Sequence, residues 1–352
     1  MGFRPIQGLI MSLAVAVAVT AGSPALAGVP GATASGVGGA VVFAYGRFGD
    51  DHGIGSSIGL DQFEDHLDEL KDGDYEVLPL PQIVDALRSG TVLPDRSVAI
   101  TIDEASPSAY REAYPRLRAA GIQFTLFVAT DALDRGPPGA MSWDQLREMA
   151  NAGVTIGALT ASGLPMAALS PLEIRDDLDR MKERFQAELG MVPTLFAYPH
   201  GEYSLSVRQQ VAQAGFVAAF GQQSGVAYAG ADLYALPRFV MNDAFGSLER
   251  FQLAASALPL PVTDVTPVDP VLTRNPPILG FTVPEGIGHV DRLACFATGQ
   301  GRAAVERLGT NRIEVRIADP FPAGRARVNC TLPADDDRWR WFGVQFFIPG
   351  EP

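Results

Sequence analysis

Histidine is scarce in this chain. There are four in 352 residues, His52, His66, His200 and His289, and none between Gly201 and Gly288. Any metal or acid–base chemistry built on imidazole therefore has few places to sit. Cysteine is scarcer, with only Cys295 and Cys330. No histidine stands near either in a thiol-protease pattern, so a catalytic thiol is not expected. Basic residues fall short of acidic ones, 27 against 40, for a formal net charge of −13. That balance excludes the basic footprint of a nucleic-acid binder or of a protein held on an anionic membrane. It fits a neutral or cationic partner, or simply a soluble surface. No apolar run beyond the first 27 residues is long enough to span a bilayer. There are no internal repeats.

At the N-terminus, Arg4 precedes an apolar stretch from Gly8 to Gly22, and Ala25-Leu26-Ala27 has the form of a signal-peptidase site. Residues 1–27 are therefore expected to be a secretory signal peptide. Its cleavage would leave a chain with no transmembrane anchor, in the periplasm or secreted. In that oxidising setting the two cysteines are expected to pair. The Cys295–Cys330 bridge would close a loop worth about 3–4 kcal/mol in the chain-entropy model.

Residues 28–38 read as a flexible, small-residue leader. From 39 to 258, apolar strand-like runs alternate with amphipathic helices, implying a parallel sheet. Seven or eight strand–helix units in that length favour a (β/α) barrel. One helix is expected from Asp61, capped by Glu64, with Phe63, Leu67 and Leu70 on its buried face. His66 beside acidic neighbours reads as solvated. The longest helix is expected between Ser170 and Gly190. Six prolines at 259, 261, 267, 270, 276 and 277 mark 259–277 as a stiff, extended linker. Beyond it, 278–352 reads as short strands making a small β-sandwich pinned by the disulfide, with a helical turn at 302–308. In Arg338-Trp339-Arg340-Trp341-Phe342, alternation puts the two tryptophans on the face opposite Phe342, Val344 and Ile348. Three roles are open to that face: docking on the barrel, a platform for sugar rings, or core.

Three segments carry the chemistry. Ala99-Ile100-Thr101-Ile102-Asp103-Glu104-Ala105 is a strand ending in two carboxylates. Val154 to Gly163 is a second strand running into a loop. Phe196-Ala197-Tyr198-Pro199-His200-Gly201 is the third. In a parallel barrel such strand ends converge on one face.

In order and spacing, these segments resemble the NodB-homology family of polysaccharide deacetylases, carbohydrate esterase family 4. Its motifs there read T-F-D-D-G, H-[ST]-x-x-H and Y-P-Y-G. The resemblance covers about residues 39–258. It implies a distorted NodB-type (β/α) barrel acting on an N-acetylated envelope or extracellular polysaccharide, with hydrolysis of N-acetyl groups as the family reaction. It makes Asp103 the catalytic base and Glu104 a metal ligand. It assigns Tyr198, Pro199, His200 and Arg238 to substrate binding, with Arg238 orienting Asp103. The family's two metal-binding histidines fall on Leu159 and Gly163, and its late catalytic histidine has no counterpart. Catalytic zinc takes about three protein ligands and a water. Three readings follow. Zinc or another divalent ion could sit in a site rebuilt from Asp103, Glu104 and His200 with Asp51 or His52. The protein could be a pseudoenzyme that binds glycan without turnover. A metal-free glycosidase would need Asp103 paired with a second carboxylate such as Glu202.

Overall fold

Strand Ser97–Asp103 shows how the barrel is built. Its sequence, SVAITID, is rich in β-branched residues and is buried along its whole length apart from Asp103. That pattern belongs to a parallel strand covered on both faces rather than to a half-exposed one. In this computed structural model, which describes residues 1–2, 38–49, 56–136, 140–334 and 336–350, seven such strands form a ring. They are β1 (Gly39–Tyr45), β2 (Ser97–Asp103), β3 (Phe124–Val128), β4 (Thr155–Ala158), β5 (Leu195–Ala197), β6 (Ala218–Phe220) and β7 (Phe239–Val240). Neighbours from β1 to β6 pair in parallel. Leu236 bridges to Phe220, and three residues later β7 pairs with β1. The segment 236–240 thus closes the circuit.

The helices wrap the outside. Helix α1 (Leu60–Asp72) buries Phe63, Leu67 and Leu70, as the periodicity requires, and also His66. It begins one residue before the expected start. The Gly59 amide donates to Gln62 Oε1, so Gln62 and not Glu64 caps the turn. Later come α2 (Leu80–Ser89), α3 (Tyr114–Ala119), α4 (Thr130–Arg135), α5 (Trp143–Asn151), α6 (Pro171–Leu189), α7 (Leu205–Gln213) and α8 (Leu248–Ala255). Helix α6 starts at a reciprocal cap between Ser170 and Glu173 and ends at Gly190 with φ +69°.

The C-terminal region is an eight-stranded sheet. Its members are β8 (Leu258–Pro259), β9 (Thr263–Thr266), β10 (Ile278–Thr282), β11 (Ala294–Ala297), β12 (Gly301–Leu308), β13 (Arg312–Arg316), β14 (Gly324–Pro333) and β15 (Trp339–Ile348). They lie in the order β8-β15-β14-β11-β12-β13-β10-β9. Strand β12 pairs with β11 through residues 301–303 and with β13 through 304–308. The sheet doubles over there and encloses one core, in which Phe281 of β10 meets Phe342 of β15 edge-on. Cys295 and Cys330 face each other across β11 and β14 and are bonded.

Two expectations are corrected here. Residues 302–308 are strand, not a helical turn, because Ala303 and Val305 alternate toward the core. The proline-rich 259–277 is not a bare linker. It supplies β9 and the end of β8, the two edges of the sheet, where proline's missing N–H costs no ladder bond. Barrel and β region lie within one compact unit. Apart from residues 1–2 and 38, the expected signal peptide and leader lie outside the described residues, as do Asp51 and His52. No helix among the described residues is long and apolar enough to cross a membrane.

Candidate functional site

Asp103 stands at the C-terminal end of β2, and Arg238 lies on the segment that closes the barrel. The two meet through a bidentate pair, Nη1 to Oδ1 at 2.6 Å and Nη2 to Oδ2 at 2.8 Å. Arg238 is fully buried. Its Nε donates to the Gly221 carbonyl at 2.9 Å, and its Nη1 also reaches Thr101 Oγ1 at 3.1 Å. That hydroxyl in turn donates to the Phe43 carbonyl. The guanidinium lies over the Phe127 ring, 5.4 Å from its centroid. Arg238 therefore orients Asp103 as expected, but it is too enclosed to touch substrate itself.

A relay continues outward from this pair. Gln222 Nε2 donates to Asp103 Oδ2 at 3.2 Å, and Arg327 Nη2 donates to Gln222 Oε1 at 3.3 Å. Arg327 Nε donates to Gln345 Oε1, and Gln345 Nε2 donates to the His200 carbonyl. Arg327 and Gln345 come from β14 and β15, so the β region reaches into the barrel mouth. Burial, with Arg325 and Arg250 nearby, pulls the Arg327 pKa down to about 10. Sequence reading missed Gln222, Arg325, Arg327 and Gln345. The one available signal was the alternation of Arg325 and Arg327 on a strand otherwise apolar toward its core.

His200 is exposed on the mouth, with φ +55°. Local enclosure of its ring and then Arg325 lower its pKa, against the opposing pull of Glu104 and Asp103. Glu104 has φ +69° and faces Arg47 at 3.7 Å, both side chains half-exposed. A pair of that kind contributes little. Glu202 is buried with Oε2 lacking any partner, and burial raises its pKa in spite of Arg325 at 3.4 Å.

Tyr198 and Pro199 do not reach the mouth as side chains. Tyr198 is fully enclosed, its hydroxyl donating to the Tyr234 carbonyl. Its amide donates to the Phe220 carbonyl, so it cannot serve as an oxyanion donor. Pro199 is buried as well.

The remaining positions decide the metal. Leu159 is 3% exposed and packs in the same core cluster as Phe127 and Ala129. Gly163 has φ +73°, and a Cβ there would stand 3.4 Å from that of Ala129. The loop between them is held by its own hydrogen bonds, Gly163 N to Thr160 Oγ1 and Ser162 to Asp177. Among the described residues no group of three His, Cys, Asp or Glu is placed to hold a metal ion. Glu104 and His200, the two ligands expected beside Asp103, are thus not assembled with a third donor. The described residues do not assemble the family's metal site.

Residues 91–219 match the family model described as polysaccharide deacetylase. Over that stretch the barrel matches the polysaccharide deacetylase family. The Bacillus subtilis (strain 168) protein YxkH, named as a polysaccharide deacetylase, is 26% identical over 191 residues, covering 53% of this chain and 68% of that one. Two solved structures share the barrel. The Streptococcus pyogenes deacetylase PplD, in complex with acetate, is 20% identical with a TM-score of 0.57, over 62% of this chain and 99% of that one. IcaB from Ammonifex degensii is 24% identical with a TM-score of 0.57, over 62% and 97%. The NodB-type fold expected from the deacetylase motifs is therefore the one observed, followed by a sheet-rich C-terminal region.

Proposed function

We propose that this protein is exported and binds an N-acetylated envelope or extracellular polysaccharide at its barrel mouth without hydrolysing it through a metal-bound water. One observation carries the reading. The two positions that hold metal in the family are a buried leucine, Leu159, and a side-chain-free glycine, Gly163, in a loop satisfied by other bonds. A carboxylate tied up in a bidentate pair with Arg238 is a poor base for amide hydrolysis without a Lewis acid to activate water. The mouth keeps polar groups able to hold a sugar, His200, Glu104 and Gln222, while Asp103 is neutralised by Arg238.

Metal stoichiometry and acetate release test this together. Protein purified from residue 28, loaded with zinc or cobalt and dialysed, is expected to retain no stoichiometric ion. It is expected to release no acetate from chitooligosaccharide, yet to bind that oligosaccharide. One tightly held ion, lost in Asp103→Asn or Glu104→Gln, would replace this reading with a rebuilt deacetylase site.

A further inference from the structure

Strands β14 and β15 turn one face toward the barrel. On it, Arg327 is opposite Gln345, Asn329 opposite Gly343, and Thr331 opposite Trp341. Barrel and sheet approach closely at Gly343, where an added Cβ would clash with the Ser224 carbonyl. Trp341 lies edge-on to Phe239 of β7, ring centroids 5.2 Å apart. Of the roles open to the tryptophan face, Trp341 takes that of docking. Trp339 does not. It is 36% exposed, and Phe296 on β11, opposite Asn329, is 45% exposed.

Between this part of the sheet and α8 runs an open cleft of about 360 Å³. Arg250, Phe296, Asn329, Thr331, Trp339 and Trp341 line it. Three of them carry buried polar atoms with no hydrogen-bond partner in the protein: Arg250 Nε, Asn329 Oδ1 and Trp341 Nε1. Trp341 is only 8% exposed, so its indole N–H is a donor withdrawn from bulk water. Native proteins satisfy the great majority of such groups, so a cluster of three at one cleft calls for an explanation. Arg250 stacks on Phe245 at 5.1 Å. No carboxylate is paired with it among the described residues, and burial lowers its pKa.

We propose that this cleft is a second carbohydrate subsite, taking a pyranose ring whose substituent carries a carbonyl-type oxygen, an acetamido or a carboxylate group. A sugar ring presents an apolar C–H face with a rim of hydroxyls. Trp339 and Phe296 offer the flat apolar surface, Asn329 an acceptor, and Trp341 and Arg250 donors for the substituent oxygen. The volume falls within the range of about 300–1,000 Å³ common for small-ligand sites. A series of polar contacts leads from near the cleft to the barrel mouth. Arg250 lies close enough to Arg327 to depress its pKa, and Arg327 leads through Gln222 to Asp103. One chain would then cross both places, so the inference rests on the glycan-binding reading above.

The test is titration of the protein, followed by tryptophan fluorescence and calorimetry, with a tetramer of N-acetylglucosamine and, separately, a tetramer of galacturonate. Trp339→Ala and Asn329→Ala are each expected to weaken the better probe about tenfold with thermal stability unchanged. The preferred probe identifies the substituent. If His200→Ala at the mouth lowers affinity while both cleft variants bind like the parent, the cleft is no subsite and the mouth reading stands. If the cleft variants weaken binding and His200→Ala does not, the cleft stands and the mouth reading falls. Failure of the parent to bind either tetramer overturns both.

Discussion

Arg238→Ala is expected to destabilise the protein by about 3–5 kcal/mol, the usual effect of stripping one partner from a buried ion pair. The side chain contacts groups that are distant in sequence: Asp103 and Thr101 on β2, Gly221 beyond β6, and the Phe127 ring on β3. Removing it leaves a largely buried carboxylate without its cation, strips the Gly221 carbonyl of its guanidinium donor, and opens a cavity beside Phe127. Arg238→Lys keeps the charge but not the fork that serves both carboxylate oxygens, so it should recover only part of the loss. Urea unfolding would measure each variant. Asp103→Ala in the Arg238→Ala background should cost far less than the sum of the two single changes, since it removes the stranded charge. A midpoint for Arg238→Ala equal to that of the parent would show that the pair does not hold the barrel closed.

Lowering the pH from 7 to 5 is expected to remove about 2 kcal/mol of stability through His66 alone. This histidine, read from sequence as solvated, is fully buried and stacks on Phe251 with ring centroids 4.2 Å apart. Its Nε2 meets the Gly246 carbonyl at 2.9 Å, which can only accept, so Nε2 carries the proton. Nδ1 then accepts from the Tyr45 hydroxyl at 3.0 Å. The neutral ring is satisfied at both nitrogens, and a second proton would disrupt the Tyr45 bond. Burial, opposed by the Gly246 bond and by Asp65, lowers its pKa to about 4. The unfolded chain protonates near the ordinary value of 6.5. Between those values the unfolded state binds a proton that the folded state refuses, so stability is full above pH 6.5 and falls as pH drops toward 4. Urea unfolding at several pH values should show this slope, and His66→Gln should flatten it while lowering stability at pH 7. An unchanged slope in that variant would assign the acid sensitivity elsewhere.

His66 also shows where sequence reasoning stopped short. It lies three residues after Phe63 and four before Leu70, inside the apolar stripe that placed the helix. Residue type was given more weight than position. Gln222, Arg327 and Gln345 are a different case. They act across 119, 105 and 145 residues of chain, onto Asp103, Gln222 and His200. No local pattern ties a glutamine in a loop to an arginine on a strand of another sheet.

By itself the sequence determined the alternating strand–helix barrel, the capped helix α6, the disulfide partners and the absence of donor atoms at positions 159 and 163. Each of these follows from periodicity, capping or side-chain chemistry, forces that act within one element or depend only on residue type. Tertiary structure alone decided that Arg238 is enclosed rather than exposed, that Tyr198 spends its amide and hydroxyl inside the barrel, that proline-rich edges join the second sheet, and that Trp341 docks while Trp339 stays open. Those outcomes depend on which faces meet, and that is set by the packing of whole elements, where burial and hydrogen-bond satisfaction are resolved among residues the chain keeps far apart.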